Sequence, residues 1–378
     1  MPRLHPTILP SDYCIPALSL VHWYTSHPSG PPAPPIDKAR HVSIIGAGNV
    51  SLDVARMLLT PPSVLSKYDV PEHVLEVLRR SSVKHVSIVA RRGPLEVAFT
   101  AKELREMMNI VGTAMKPIPD DLLSPPPGTE VTRQQGRILD ILRKGSQEKY
   151  GSTEKSWSID FYRSPTNLSW ASENGEDFPL KLSLNHTALD SNTHVPVPTD
   201  VTSEHRTSLV VTSLGFHADP CSTPLYDPEL KRLRTLPGGR VINGSNGRLI
   251  KNVYGSGWAA GGAKGVLAST MMDAYNVAET IREDLMPTPS IDLAAEDMRA
   301  GEQRDEKKPL EIMNPSPSVH SLPPEIVRGL SGRKIVEFED WKKVDKEEMR
   351  RGQESGKERE RMRWEQVKNY LGLASVAQ

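Results

Sequence analysis

The chain has 378 residues, with 47 Lys plus Arg against 47 Asp plus Glu. That length allows two domains and a sizeable core, and the balanced charge excludes a global electrostatic grip on nucleic acid or membrane, so any partner attraction rests on local patches. Aromatic residues make up 5% and prolines number 33, which predicts much loop and linker. The two cysteines, Cys14 and Cys221, form no disulfide framework and no C-x-x-C pair, which fits a reducing compartment. No apolar run approaches the roughly 18 residues that a membrane helix needs. The Pro-rich start, 1–11, reads as neither a secretory signal nor a transit peptide.

In chain order, Pro28 to Pro35 reads as a linker. His41 to Ile45 is a short apolar run broken by Gly46-Ala47-Gly48. Val50 to Leu59 then reads as a helix with Val50, Val54, Met57 and Leu58 on one face, stopped at Thr60-Pro61-Pro62. A further helix is expected around Val70 to Arg80 and a strand from Val83 to Ala90, ending at Arg91-Arg92-Gly93-Pro94. Thr100 to Asn109 reads as a helix opened by a capping-box pattern, Thr100 with Glu103. Pro117 to Gly128 reads as loop, Leu180 to Leu189 and Ser208 to Leu214 as strands. Ile250 to Gly257 is a strand ending in glycines and Gly265 to Glu283 a helix. Pro287 to Pro324 is a polar, Pro-rich linker, and Lys342 to Lys368 carries dense mixed charge, most simply a solvated helix or flexible segment. His22, His27, His85 and His217 are scattered, with no metal spacing.

The segment Gly46-Ala47-Gly48-Asn49-Val50-Ser51 follows a strand and precedes a helix. In a Rossmann turn the first glycine makes the tight turn, the second lets the backbone approach a pyrophosphate, and a small third residue packs helix on strand. Phosphates then sit on the helix N-terminus, where free N–H groups and the dipole favour negative charge. The next strand ends in Arg91-Arg92 rather than an acid. A carboxylate there would repel a 2′-phosphate, whereas guanidinium groups bind it bidentately. The expected cofactor is therefore NADP(H); the bland alternatives are a ligand-free glycine turn and a solvated arginine pair.

These residues resemble one family, the adrenodoxin reductases, or mitochondrial ferredoxin–NADP reductases. Residues 46–62 (GAGNVSLDVARMLLTPP) and 90–106 (ARRGPLEVAFTAKELRE) are similar to its NADP site. Residues 254–258 (YGSGW) and 265–271 (GVLASTM) are similar to its flavin-contacting motif, and 338–341 (FEDW) with 351–357 (RGQESGK) to its tail. The likeness runs from about residue 11 to the end, weakest at 120–205 and 285–330. It implies an FAD enzyme passing electrons from NADPH to a [2Fe–2S] ferredoxin, in the mitochondrial matrix facing the inner membrane, with at most peripheral membrane association. Gly46 and Ala47 to Val50 would cradle the pyrophosphate, and Arg91 and Arg92 would hold the 2′-phosphate. Glu103 matches a glutamate near the nicotinamide, or else simply caps its own helix. Trp258, Gly265, Val266 and Leu267 match flavin contacts, though Trp258 also reads as an ordinary core aromatic. Arg133 and Arg137, one helical turn apart, resemble a pair that docks an acidic ferredoxin, or form a solvated basic face. Hydride transfer belongs to the cofactors, so no catalytic acid or base is named.

The resemblance also has gaps. The family opens with a strand–glycine turn–helix for the FAD pyrophosphate, and no such motif stands before residue 46; the expectation is a truncated chain that binds FAD poorly. Residues 259–264 (AAGGAK) replace the family's basic residue and Gly-Pro-Thr. The expected fold class is α/β, a Rossmann-like NADP-binding domain plus the C-terminal part of a second, FAD-binding one. The expected domains are 1–222 for NADP(H), with 1–40 as crossover and linker, 223–285 as partial FAD domain, 286–325 as linker and 326–378 as charged tail. The leading function is the NADPH-dependent reductase; the alternative is an NADP-binding module without redox activity. A third reading, the reductase part of glutamate synthase, needs N-terminal cluster cysteines, and only Cys14 lies there.

Overall fold

The computed structural model describes residues 2–126, 128–171, 179–190, 195–221, 223, 225–263, 265, 267–286, 322–332 and 335–373. The chain divides into two units, 2–214 with 323–378, and 215–322, each described by itself.

The strands of the first unit are β1 (Cys14–Pro16), β2 (His41–Ile45), β3 (His85–Val89), β4 (Thr113–Met115), β5 (Lys155–Asp160), β6 (Arg163–Trp170), β7 (Leu180–Leu189), β8 (Pro196–Thr207) and β9 (Leu209–Thr212). Valines and isoleucines, stiff at χ1 and suited to a pleated surface, dominate β2, β3 and β9. Six strands form one parallel sheet in the order β1-β9-β2-β3-β5-β4. The chain leaves β2 through β3 on one side and returns as β9 on the other. The carboxyl end of β2 is thus a topological switch point, where open α/β sheets bind their ligands. The parallel sheet bears out the α/β expectation.

The helices of this part are α1 (Ala17–Tyr24), α2 (Asn49–Leu59), α3 (Pro62–Leu65), α4 (Glu72–Arg79), α5 (Ala101–Met108), α6 (Asp120–Leu123) and α7 (Arg133–Lys144). The face of α2 carrying Val50, Val54, Met57 and Leu58 packs on the main core, with Val50 and Met57 half-buried beside the buried Leu52, Val54, Ala55, Leu58 and Leu59. One expectation needs correction. The stretch expected as loop at 117–128 contains α6, which buries Leu123.

Alternation along each strand sends neighbours to opposite faces. Val42, Ile44, Val86, Ile88, Trp157 and Ile159 point one way and join the main core with the helices. On the other face, Ile45, Val89 and Val210 pack on Leu182 and Leu184 of β7. That strand is the centre of an antiparallel sheet, β6-β7-β8.

The second unit contains β10 (Tyr226–Asp227), β11 (Arg232–Leu233), β12 (Arg240–Ile242), β13 (Leu249–Tyr254), α8 (Trp258–Gly261) and α9 (Leu267–Leu285). The strands pair as two antiparallel ribbons. Asp284 fastens α9 to the second ribbon, accepting from Arg240 Nε and Nη2 at 2.8 and 2.7 Å and from the Tyr254 hydroxyl at 2.7 Å.

The C-terminal part of the first unit forms α10 (Pro324–Ser331), α11 (Phe338–Glu354) and α12 (Trp364–Leu371). Its charges are paired rather than merely solvated, which corrects the expectation for Lys342 to Lys368. Arg359 bridges Asp345 at 2.7 Å and Glu348 at 3.2 Å. Lys357 is buried and donates to the Val70 carbonyl at 2.9 Å. The Glu360 carboxylate accepts from the Glu72 N–H at 3.0 Å, a negative charge at the start of α4, where the helix dipole favours it. Among the described residues, no helix is long and apolar enough to cross a membrane.

The amino-terminal half of the parallel sheet's second face is polar. His41 Nε2 meets Ser87 Oγ at 2.8 Å, and His85 Nδ1 meets Ser156 Oγ at 2.8 Å. Ser158 Oγ lies 3.2 Å from both Ser87 Oγ and His85 Nε2, and the two imidazole centroids are 5.0 Å apart. Burial first, then the positive potential of His85 and His205, pulls His41 down to about 3. Burial first, opposed by Asp160 and assisted by Lys116 and His205, pulls His85 down to about 4. Both lie below the unfolded value of about 6.5. Their contribution is therefore fully present above pH 6.5 and is lost as pH falls toward 4 and then 3. Each linked proton contributes up to about 1.4 kcal/mol per pH unit. Urea unfolding is expected to show stability falling from pH 6.5 to 4.5, with a flatter profile in His41→Gln; identical profiles would contradict this account.

Candidate functional site

The glycine turn is fixed by its surroundings. Gly46 has φ +121°, and a Cβ there would overlap the Ser213 carbonyl at the end of β9. The Gly46 N–H donates to the Val89 carbonyl at 2.9 Å, and the Ser213 N–H donates to the Ile45 carbonyl at 2.8 Å. The turn is thereby stitched to the strands on both sides of β2. Gly48 differs: a Cβ there would meet nothing within 4 Å, so space is open over the start of α2. Gly48 is the N-cap of α2 and supplies no side-chain cap. Ser51 is fully buried and its hydroxyl has no hydrogen-bond partner, so that position is filled for size.

Arg91 and Arg92 follow β3 with exposed side chains, and neither guanidinium forms an ion pair among the described residues. Their backbone is anchored instead. Thr187 Oγ1 donates to the Arg91 carbonyl at 2.7 Å, and the Tyr162 N–H donates to the Arg92 carbonyl at 3.3 Å. Tyr162 lies over Gly93, leaving no room for a Cβ there. Past the arginines, the Ala98 N–H donates to the Ala47 carbonyl at 3.0 Å, and the Thr100 N–H donates to Asn49 Oδ1 at 2.8 Å. The glycine turn and the arginine loop are therefore one assembly.

Glu103 lies on α5. Its N–H donates to Thr100 Oγ1 at 3.3 Å, which is half of the expected capping box. The return half is not made, because Asn49 takes the Thr100 N–H. The Glu103 carboxylate stands 3.5 Å from Arg56 Nη1. Arg56 also pairs with Asp53 at 2.5 Å and with Glu106. Burial, opposed by Arg56, raises the Asp53 carboxyl, and burial together with Asp53 pushes the Tyr24 phenol up to about 12.

Arg133 and Arg137 are both exposed on α7. A full capping box, Thr132 with Gln135, starts that helix, and Gln135 Nε2 donates to the Leu95 carbonyl at 2.9 Å. In the second unit, Ser256, Gly257, Trp258, Gly265, Leu267 and Thr270 line an open hollow of about 530 Å³. Trp258 is 53% exposed and stacks on Phe216 with centroids 6.5 Å apart, so it is not a core aromatic. Asp273 accepts from the Gly257 N–H at 2.6 Å and from Ser256 Oγ at 3.2 Å, fixing the turn ahead of Trp258. Val266 lies outside the described residues. Among the described residues, no group of histidines, cysteines and acids is placed to hold a metal ion.

No family model matches the chain. NADPH:adrenodoxin oxidoreductase of Bos taurus, however, is 33% identical over 358 residues, covering 92% of this chain and 66% of the relative. The chain belongs to the adrenodoxin reductase family. The human protein of that name is 32% identical over 358 residues, with the same coverage. NADPH-ferredoxin reductase FprA of Mycobacterium leprae is 32% identical over 277 residues, covering 72% of this chain and 58% of the relative. The structure of Mycobacterium tuberculosis FprA in complex with NADPH superposes with a TM-score of 0.74 at 26% identity, covering 98% of this chain and 76% of that one. The chain thus spans just under two thirds of the length of the bovine and human members of the family.

Three contacts in this family member's site are not legible in its sequence. Ser213 bounds Gly46, Tyr162 bounds Gly93, and the Asn49 carboxamide reaches Thr100. The two glycines should respond oppositely to a methyl group. Gly46→Ala is expected to cost about 2–4 kcal/mol or to prevent folding, while Gly48→Ala stays within about 1 kcal/mol of the parent. Thermal melting of the two variants checks this; equal losses would refute the assignment of strain to Gly46 alone.

Proposed function

We propose that the chain is the NADP(H)-binding portion, with part of the flavin domain, of an NADPH-dependent flavoprotein reductase that passes electrons to a [2Fe–2S] ferredoxin. The observation that carries this reading is the union of an open helix N-terminus with two unpaired arginines. The N–H groups around Gly48, Asn49 and Val50 lie at the positive end of α2 and suit a pyrophosphate. Arg91 and Arg92, free of acidic partners among the described residues, suit the 2′-phosphate. Glu103, held toward Arg56 at 3.5 Å, stands on the helix that follows the arginine loop. In the second unit, Trp258 offers an aromatic face beside Gly257 and Gly265, whose φ values of +59° and +87° keep side chains off the hollow. Leu267 lines the same hollow, so these residues fit a planar flavin ring. When bound, nicotinamide and flavin supply hydride and single-electron chemistry; this chain's residues bind, orient and set the electrostatics.

The same reading assigns 1–222 to nucleotide binding, 223–285 to the flavin domain and 326–378 to the tail; of the linker expected at 286–325, residues 287–321 lie outside the described residues. Arg133 and Arg137 form the face that steers an acidic ferredoxin, an attraction that salt weakens. A mitochondrial location, at most peripheral to the membrane, rests on the names of the animal relatives; the mycobacterial relatives carry no such label.

The double substitution Arg91→Ala with Arg92→Ala is expected to weaken NADPH binding by about a hundredfold, at about 1.4 kcal/mol per decade, and NADH binding far less. Titration with both nucleotides checks it; equal losses would sink the NADP assignment.

If the chain incubated with FAD and desalted keeps a flavin absorption that NADPH bleaches, against the poor FAD binding expected from its sequence, the reductase reading stands. In that preparation Arg133→Glu with Arg137→Glu slows cytochrome reduction through ferredoxin and spares direct dye reduction. A parallel fall in both rates would remove the docking role. Loss of flavin on desalting, with NADPH still bound, would leave the nucleotide-binding module as the correct reading.

A further inference from the structure

The arginine loop is a surface segment, and surface loops move unless something fastens them. At its entry, the backbone carbonyls of Arg91 and Arg92 are held by Thr187 and Tyr162. At its exit, two bonds fasten it to the glycine turn, Ala98 N–H to the Ala47 carbonyl and Thr100 N–H to Asn49 Oδ1. The first uses backbone alone. The second depends on one side chain, at the first position of α2 and 51 residues away in sequence. A backbone N–H can only donate, so the Asn49 atom facing it must be the carboxamide oxygen. Leucine and alanine have no such acceptor, and aspartate restores one.

The N–H of Thr100 has no other taker in reach of its own helix. A capping box would supply the Glu103 carboxylate, but that group is turned to Arg56. Removing the Asn49 oxygen would therefore leave the donor unsatisfied in a partly buried place and leave the loop exit held by the Ala98–Ala47 bond alone. The spacing between the arginines and the start of α2 would then be set by one bond instead of two at that end, and so less tightly.

We propose that Asn49 is a specificity-positioning residue, holding the loop of Arg91 and Arg92 at a fixed distance from the start of α2, so that one nucleotide spans its pyrophosphate and 2′-phosphate sites together. This rests on the NADP reading above. A residue touching only the pyrophosphate serves NADPH and NADH alike, and so does one that merely stabilises the fold. A residue that positions the arginines acts through the 2′-phosphate, and its removal erodes the preference between the two nucleotides.

The test is the ratio of NADPH to NADH affinity, measured by calorimetry on the full chain for the parent, Asn49→Leu, Asn49→Asp and the Arg91→Ala with Arg92→Ala double variant. Asn49→Ala replaces Asn49→Leu if the latter fails to fold, and thermal melting establishes which variants fold. The expected result is a preference lowered about tenfold in Asn49→Leu, corresponding to one lost hydrogen bond, and returned toward the parent value in Asn49→Asp. The aspartate's charge near the pyrophosphate weakens both nucleotides together and leaves the ratio intact. If the arginine variant loses the preference while Asn49→Leu weakens both nucleotides equally, the positioning role is overturned and the NADP reading stands. If the arginine variant keeps the preference, the NADP reading fails and this inference falls with it.

Discussion

The nucleotide unit depends on one close approach. Gly46 passes the Ser213 carbonyl with no space for a side chain, at a φ that L residues avoid. Its own N–H bond to Val89, and the bond from Ser213 to the preceding Ile45 carbonyl, hold it there. Because β3 and β9 flank β2 in the parallel sheet, the turn is clamped from both sides at the switch point. The direction of α2 follows from that clamp, and with it the placement of free N–H groups over the open space at Gly48. A larger residue at position 46 would separate β9 from β2 before it altered any ligand contact.

The charged groups around this turn divide by what holds them. Arg56 is saturated, with Asp53, Glu103 and Glu106 around one guanidinium, and it ties α2 to α5. Arg91 and Arg92 have no such partners among the described residues, and their positions come from backbone bonds at either end of the loop. Leaving two exposed guanidinium groups unpaired costs little, since water solvates them and surface pairs contribute little. Pairing them to acids would cost a phosphate ligand the energy of breaking those pairs. Rigid backbone with uncommitted side chains is the arrangement that lets a bound anion collect the full charge-assisted bonding.

What the sequence revealed follows the range of each interaction. The turn between β2 and α2, the arginines after β3 and the capping threonine at 100 are local patterns, and each lies where the periodicity placed it. The contacts that complete them are long-range. Asn49 meets Thr100 across 51 positions; Ser213 just follows β9, and Tyr162 lies between β5 and β6, both far along the chain. The polar sheet face was equally hidden: His41, His85 and Ser87 alternate within their strands, but only the register that sets His41 beside His85 turns them into one partly buried network. Dense charge from Lys342 to Lys368 read as solvated because its pairing depends on α11 folding back toward α12 and on Lys357 reaching Val70. Trp258 could be placed at a glycine-rich turn, but not its exposure.

The two halves of the proposed function rest on physically different supports. Nucleotide binding rests on a unit whose parallel sheet packs apolar residues on both faces, with Leu52, Leu75, Ile88, Leu104 and Trp157 all at most 1% exposed. Such a core can hold the turn and the loop by itself. The hollow beside Trp258, proposed for the flavin, rests on short ribbons and on α9, whose buried residues are Val277 and Thr280. Leu267, Met271 and Tyr275, four residues apart and so on one stripe of that helix, remain exposed, Leu267 at 84%. Few buried apolar contacts mean low local stability, so on the proposed function a flavin bound in this unit would have to supply order that the parallel-sheet unit already possesses. On the proposed function, nucleotide and flavin affinities are therefore separable, and the loss of one would carry no implication for the other.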